Sequence, residues 1–166
     1  NRRPEIDMAT AFQASAAQAG IKVEVVTMPA SQLIPMYRDR KLDALMLSFY
    51  SPYGDPHATA NKFAFSPGGL PGAKAGENYP AELTWRLGWT PTDLSVKVIA
   101  ATKESDAKKR TAMYESIQRE YWETSPFAQT FQATQAIGMR ADIANYRYGA
   151  RGADTSFAFT HKKGAP

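Results

Sequence analysis

The spacing of apolar and polar positions changes along the chain, and each change marks an element. From Ile6 to Ala19 the residues Met8, Ala9, Phe12, Ala16 and Ala19 follow the period of one helical face. Gly20 stands where a left-handed C-terminal cap is expected. Ile21-Lys-Val-Glu-Val-Val-Thr-Met28 alternates and is rich in β-branched residues, which predicts a strand ended by Pro29. Ser31 can open a short helix to about Lys41 with Leu33, Met36 and Tyr37 inward, and Pro35 fits it only in the first turn. Leu42 to Tyr50 is nearly continuously apolar over a strand's length, the pattern of a strand covered on both faces in a parallel sheet. Strand, helix and strand make a βαβ unit, whose right-handed crossover brings both carboxyl ends to one sheet edge.

Helix signals resume at Asp55-Pro56, where Asp caps and Pro suits the first helical position. Ser66 to Pro91 is a Gly- and Pro-rich loop holding Tyr79, Trp85 and Trp89, long enough to be functional or docked on another surface. Asp93 to Ala101 predicts a short helix. A stronger one starts at Ser105 or Asp106 and runs to about Glu123, with Met113, Tyr114, Ile117 and Tyr121 along one face. Asp106 and Arg110 lie one turn apart and can pair. Phe127 to Ala133 and Gln135 to Arg140 read as strands or one bent strand, and the tail beyond Ala141 has little periodicity. The fold class expected is α/β, built from βαβ units.

Composition narrows the function. The 166 residues, 43% of them hydrophobic, suffice for one domain with a real core. No apolar run approaches the ~20 residues a membrane-spanning helix needs. Cysteine is absent, which excludes disulfides, thiolate-held metals and a thiol nucleophile together, and permits an exported protein. The net charge of +4 could point to nucleic acid, but the basic residues are scattered as Arg38-Asp-Arg-Lys41, Lys108-Lys-Arg110 and Lys162-Lys163. They read as solvated faces and a tail, so no nucleic-acid partner is expected. The opening Asn1-Arg-Arg-Pro-Glu5 leads straight into a helix pattern, as expected of a cut inside a longer protein.

Catalytic signatures are sparse. The histidines are His57 and His161, and neither H-E-x-x-H nor G-x-S-x-G occurs. The glycines between Ser66 and Gly76 lack the Gly-Lys-Ser/Thr of a phosphate loop, because Gly72-Ala73-Lys74 breaks it. No metal and no cofactor is expected. The segment Phe49-Tyr-Ser-Pro-Tyr-Gly-Asp-Pro-His57 follows the carboxyl end of the apolar run and feeds a helix start, where open α/β sheets place ligands. The candidate ligand-binding residues are Tyr50, Ser51, Pro52, Tyr53, Asp55 and His57. Tyr50 and Tyr53 offer aromatic walls, Ser51 a hydroxyl, and the helix start an anion or dipole contact. The plainer reading has Asp55 capping the helix, His57 as a surface histidine and the tyrosines packing locally. Two rivals to ligand capture stay open: a small α/β hydrolase-type enzyme using Asp55 and His57 as acid and base, and a partner-binding module built on Trp85 and Trp89.

The runs "AFQASAAQAGIKVEVV", "KLDALMLSFY", "YGDP" and above all "DAKKRTAMYESIQREYWETSPFAQTFQ" resemble the C-terminal part of the solute-binding proteins for dipeptides, oligopeptides and nickel that serve bacterial ABC importers (extracellular solute-binding protein family 5). The D-x-x-x-R-x-x-x-Y-x-x-x-Q helix falls on Asp106, Arg110, Tyr114 and Gln118, with Pro126 before the next strand. The resemblance runs from about Met8 to Lys163. It implies a periplasmic-binding-protein-like lobe, a fragment of a two-lobed protein, with residues 1–133 as most of the ligand-capture lobe and 134–166 crossing back to the first. It implies a polar organic solute, the missing N-terminal lobe and membrane permease subunits as partners, no enzymatic activity, and a periplasmic or otherwise extracytoplasmic place, free or lipid-anchored. Peptide-binding members hold the ligand's ammonium with an Asp three positions before that of the Asp-Pro pair, behind a Trp. Those positions here are Pro52 and Phe49. An ammonium buried without that carboxylate is costly, so the ligand expected is peptide-like in a modified sense, sugar-like or opine-like.

Overall fold

A computed structural model of the chain describes residues 3–49, 51, 54–74, 76–132, 134, 136–147 and 157–164. Among these residues the chain forms α1 (Arg3–Gln18), α2 (Ala30–Arg38), α3 (Pro56–Phe63), α4 (Leu83–Arg86), α5 (Thr92–Lys103) and α6 (Ala107–Thr124). A 3-10 turn spans Pro67–Gly69, and a two-residue antiparallel ladder joins β1 (Ile143–Ala144) to β2 (His161–Lys162).

The core is the seam between α5 and α6. Leu94, Val98 and Ala101 recur at helical spacing on α5 and meet Tyr114, Ile117 and Tyr121 of α6, with Ala64 closing the end of α3. One buried hydroxyl is used up at its edge: Ser95 Oγ donates to the Pro91 carbonyl and accepts the Ser66 N–H. Gly69 lies against the same carbonyl, and a Cβ there would overlap it, so no other residue fits. Around the seam an aromatic chain runs Phe49–Phe63–Phe127–Trp89–Tyr121, with ring centroids 4.8, 5.2, 6.3 and 6.1 Å apart in edge-to-face geometry.

Three caps follow the sequence, but Ser31, expected to open α2, lies inside it, and the N-cap there is Pro29 with no side-chain hydrogen bond. At the end of α1 the Gly20 N–H bonds to the Ala17 carbonyl and the Ile21 N–H to that of Ala16, with Gly20 at φ +78°, a Schellman ending. Asp55 caps α3 and Asp106 caps α6 through the Lys109 N–H at 2.8 Å. In α2, Pro35 lies inside the helix and beyond its first turn, at an exposed position, and its ring supplies no N–H to the preceding turn. Two arginine–aromatic pairs tie α2 to α4: Arg40 lies 3.9 Å over the Trp85 ring, and Arg86 lies 5.1 Å from the Tyr37 ring. Burial raises the Tyr37 phenol above its ordinary pKa, partly offset by the Arg86 charge.

The expected α/β fold, a periplasmic-binding-protein-like lobe of βαβ units, is overturned: among the described residues the chain is mostly helical, with one small sheet far from the expected strands. Residues 22–28 and 44–49 run without helix, turn or bend, yet neither enters a ladder. The physical reason is what covers them. Gln13 Nε2 of α1 donates to the Val23 carbonyl at 2.7 Å, Ser48 Oγ donates to Glu5 of α1 at 2.6 Å, and Phe49 packs on Phe63 of α3. Apolar alternation records a covered face, but a sheet also needs a neighbouring strand about 4.8 Å away, and helices occupy these contacts instead. The described parts of 127–140 likewise form no strand.

The seam makes a stability prediction. Leu94→Ala, at a side chain 2% exposed, is expected to cost about 2–5 kcal/mol. Val96→Ala, two residues on and 43% exposed, is expected to cost well under half of that. Urea unfolding of both variants checks the difference; equal losses would contradict the packing described.

Candidate functional site

The start of α3 is where the candidate residues converge on a second element. Asp55 has extended backbone (φ −88°, ψ 131°), so its carboxylate turns back over the first turn of the helix. Its Oδ1 accepts the His57 N–H at 2.7 Å and Arg110 Nη2 of α6 at 2.8 Å. Arg110 in turn stands 4.8 Å from the Tyr114 ring, with Nη2 3.5 Å from the phenol oxygen. The Asp106 cap fixes where α6 begins, which sets Arg110, Tyr114, Ile117 and Tyr121 on one face, toward α3 and α5. The sequence pairing of Arg110 with Asp106 is therefore not what forms: Asp106 is spent on the cap and Arg110 reaches 55 residues back along the chain.

Electrostatically the site is a closed pair. The Arg110 hydrogen bond, then the His57 N–H, hold the Asp55 carboxyl below the usual carboxylate range. Burial pushes the Tyr114 phenol up, against the lowering effect of Arg110. At neutral pH the cluster is thus carboxylate, guanidinium and neutral phenol. The carboxylate touches the backbone of His57 and makes no hydrogen bond to its imidazole. The imidazole lies 6.3 Å from the Tyr114 ring, with Nδ1 shielded from solvent and without a hydrogen-bond partner among the described residues. An Asp–His acid–base pair needs the carboxylate on the ring nitrogen, so this arrangement orients no general base.

Of the remaining candidates, Ser51 is exposed, while Tyr50, Pro52 and Tyr53 lie outside the described residues. Their flanks are fixed: Phe49 packs edge-on against Phe63 before them, and Asp55 is clamped by Arg110 after them. The two tryptophans are taken up within the chain. Trp85 is covered by Arg40, which also donates from Nε to the Trp85 carbonyl at 2.7 Å. Trp89 packs between Tyr121 and Phe127. A shallow depression of about 240 Å³ on another face of α6 is lined by Glu115, Gln118, Arg119 and Trp122. Its lining residues stand on a different face of α6 from Arg110, Tyr114 and Ile117. Among the described residues no three His, Asp or Glu side chains gather as a metal site, and no helix is long and apolar enough to cross a membrane.

What the sequence reading missed was Arg110 as the partner of Asp55. The one local signal was a basic residue on the inward face of α6, among Tyr114, Ile117 and Tyr121, where a charge needs an acid from elsewhere.

The pair also predicts a pH response. Because the folded pKa of Asp55 lies below its unfolded value, its contribution is complete above the ordinary carboxylate value of about 4 and is lost as pH falls through the depressed folded value. Asp55→Asn keeps an acceptor for the His57 N–H but drops the charge. The stability gap between the chain and Asp55→Asn should therefore shrink as pH falls from about 5 to about 2, and shrink further in high salt because the pair is partly exposed. A gap independent of pH, followed by thermal unfolding, would contradict the pairing.

The chain matches no family model, no curated protein and no solved structure, so its role is argued from its own residues.

Proposed function

We propose that this chain captures a small polar organic solute through the 50–57 segment, as part of the solute-binding component of an ABC importer. The observation that carries the capture role is the anchoring of that segment at both flanks on one helical core, by Phe49 on Phe63 and by Asp55 on Arg110. A loop held at both ends loses little further freedom when it meets a ligand, which favours affinity. The importer class comes from the resemblance in residue order, and it does not rest on a sheet architecture.

The chemistry of the segment supports binding over bond-breaking. Asp55 is already neutralised by Arg110, and its carboxylate is turned to a backbone N–H and a guanidinium, not to the imidazole. What the segment offers a solute is Tyr50 and Tyr53 for stacking and hydroxyl contacts, together with the Ser51 hydroxyl. With Pro52 where a carboxylate would meet an ammonium, the class favoured is sugar-like, opine-like or a modified peptide. In this reading the solute is enclosed by closure against a second lobe and delivered outside the cytoplasm to permease subunits, with no bond made or broken.

Solutes can be found by thermal shift against peptides, sugars and opine-like compounds, since a ligand that binds only the folded form raises the melting temperature. With a solute in hand, Tyr53→Ala is expected to weaken affinity by calorimetry while leaving the melting temperature nearly unchanged. Asp106→Ala is expected to do the reverse, costing about 1 kcal/mol of stability at unchanged affinity, because it removes only the α6 cap. An unchanged dissociation constant in Tyr53→Ala would overturn the capture role.

A further inference from the structure

Residues 22–28 leave α1 through the Gly20 ending and run without helix, turn or bend to Pro29, but their backbone is largely unused. Among the described residues no backbone hydrogen bond reaches 22–28, and the Val23 carbonyl is taken by Gln13 of α1. In a straight strand the N–H and C=O of one residue point to one edge and those of the next residue to the other. The edge of Val23 and Val25 is therefore turned to α1, and both residues are half-buried. Among the described residues the edge of Lys22, Glu24 and Val26 is open, with all three residues exposed, Val26 to 64% and neighbouring Ile21 to 59%. An open edge flanked by exposed β-branched residues is a template for another strand.

The charges on that edge say which strand. Lys22 and Glu24 are two residues apart and share a face. When two copies of this segment pair antiparallel about a two-fold axis at Val23, Lys22 of each copy falls opposite Glu24 of the other. The two residues then exchange both N–H···O bonds across the open edge, and Ile21 faces Val25. Shifting the centre by one residue in either direction sets Lys22 against Lys22 or Glu24 against Glu24, and a parallel in-register pairing stacks like on like throughout. The pattern is self-complementary in one register only. We propose that this segment is a homodimerisation edge, a short isologous antiparallel ladder between two copies of this chain held in register by reciprocal Lys22–Glu24 pairs. Gly20 at φ +78° and Pro29 end the strand on either side, so the ladder stays short, the dimer is weak, and it does not propagate. The inference does not depend on solute capture.

Sedimentation equilibrium of the 166-residue chain at up to about 1 mM tests it. Expected is a monomer–dimer equilibrium that weakens with salt, with dimerisation at least about tenfold weaker in Lys22→Glu and in Glu24→Lys, where like charges face each other. The double variant K22E/E24K restores it, and so does an equimolar mixture of the two single variants, which pair only with each other. Circular dichroism confirms that each variant keeps its helices, and the mixture decides the matter even where the double variant folds poorly. A wild-type chain that stays monomeric, single variants that dimerise as the wild type does, a mixture that fails to recover the dimer, or assemblies larger than a dimer would each overturn the proposal.

Discussion

The packing of α5 on α6 is the constraint on which the rest of the structure depends. Leu94, Val98 and Ala101 against Tyr114, Ile117 and Tyr121 exclude water from one continuous seam, and everything else that is ordered refers to it. The seam fixes the rotation of α6, and that rotation brings Arg110 over the start of α3. The same seam presents Trp89 and Tyr121 to Phe127 and, through Phe63, to Phe49, so the aromatic chain carries order outward to the residue that precedes the candidate ligand segment. Gly69 and Ser95 close the other side, where only a glycine and a small hydroxyl fit against the Pro91 carbonyl.

The Asp55–Arg110 contact is accordingly a clamp and not a reactive pair. An exposed ion pair contributes little stability on its own. This one is partly shielded, shares its carboxylate with a helix cap and ends the segment whose tyrosines carry the proposed capture role. The proposed importer reading and the clamp fit together without needing a sheet, because helices hold both flanks of the 50–57 segment. The 22–28 edge is a separate property of the fold: α1 bonds to one edge of that segment, and among the described residues no backbone group pairs with the other.

The parts legible in the sequence were those whose physics is local. Asp55-Pro56 and Asp106 announced the starts of α3 and α6 because capping is decided within three residues. Tyr114, Ile117 and Tyr121 announced the buried face of α6 because helical spacing is set by the backbone alone. The alternation of 21–28 and the apolar run of 42–50 were read as strands of a βαβ unit, yet period two states only that one face is covered and leaves open by what; α1 and α3 supply part of the cover. Pro35 fits a helix readily only in its first turn, yet it lies deeper in α2, at an exposed position. Arg110 was assigned to its neighbour one turn back, since nothing local reveals a partner 55 residues away. At the candidate site, Asp55 and His57 were found and their contacts were not, while Tyr50, Pro52 and Tyr53 lie outside the described residues.

The central claim is that a helical seam, and not a sheet, holds this chain together and anchors the flanks of the segment proposed to meet a ligand. Native-state amide hydrogen exchange on dilute protein tests it most directly, because protection follows the free energy of opening element by element. The account predicts the slowest exchange in α5 and α6, limited by global unfolding, slightly faster exchange in α3, and fast exchange throughout 44–49, whose amides enter no ladder among the described residues. Protection of 44–49 equal to that of α5 would mean that a paired sheet forms the core, and would contradict the account.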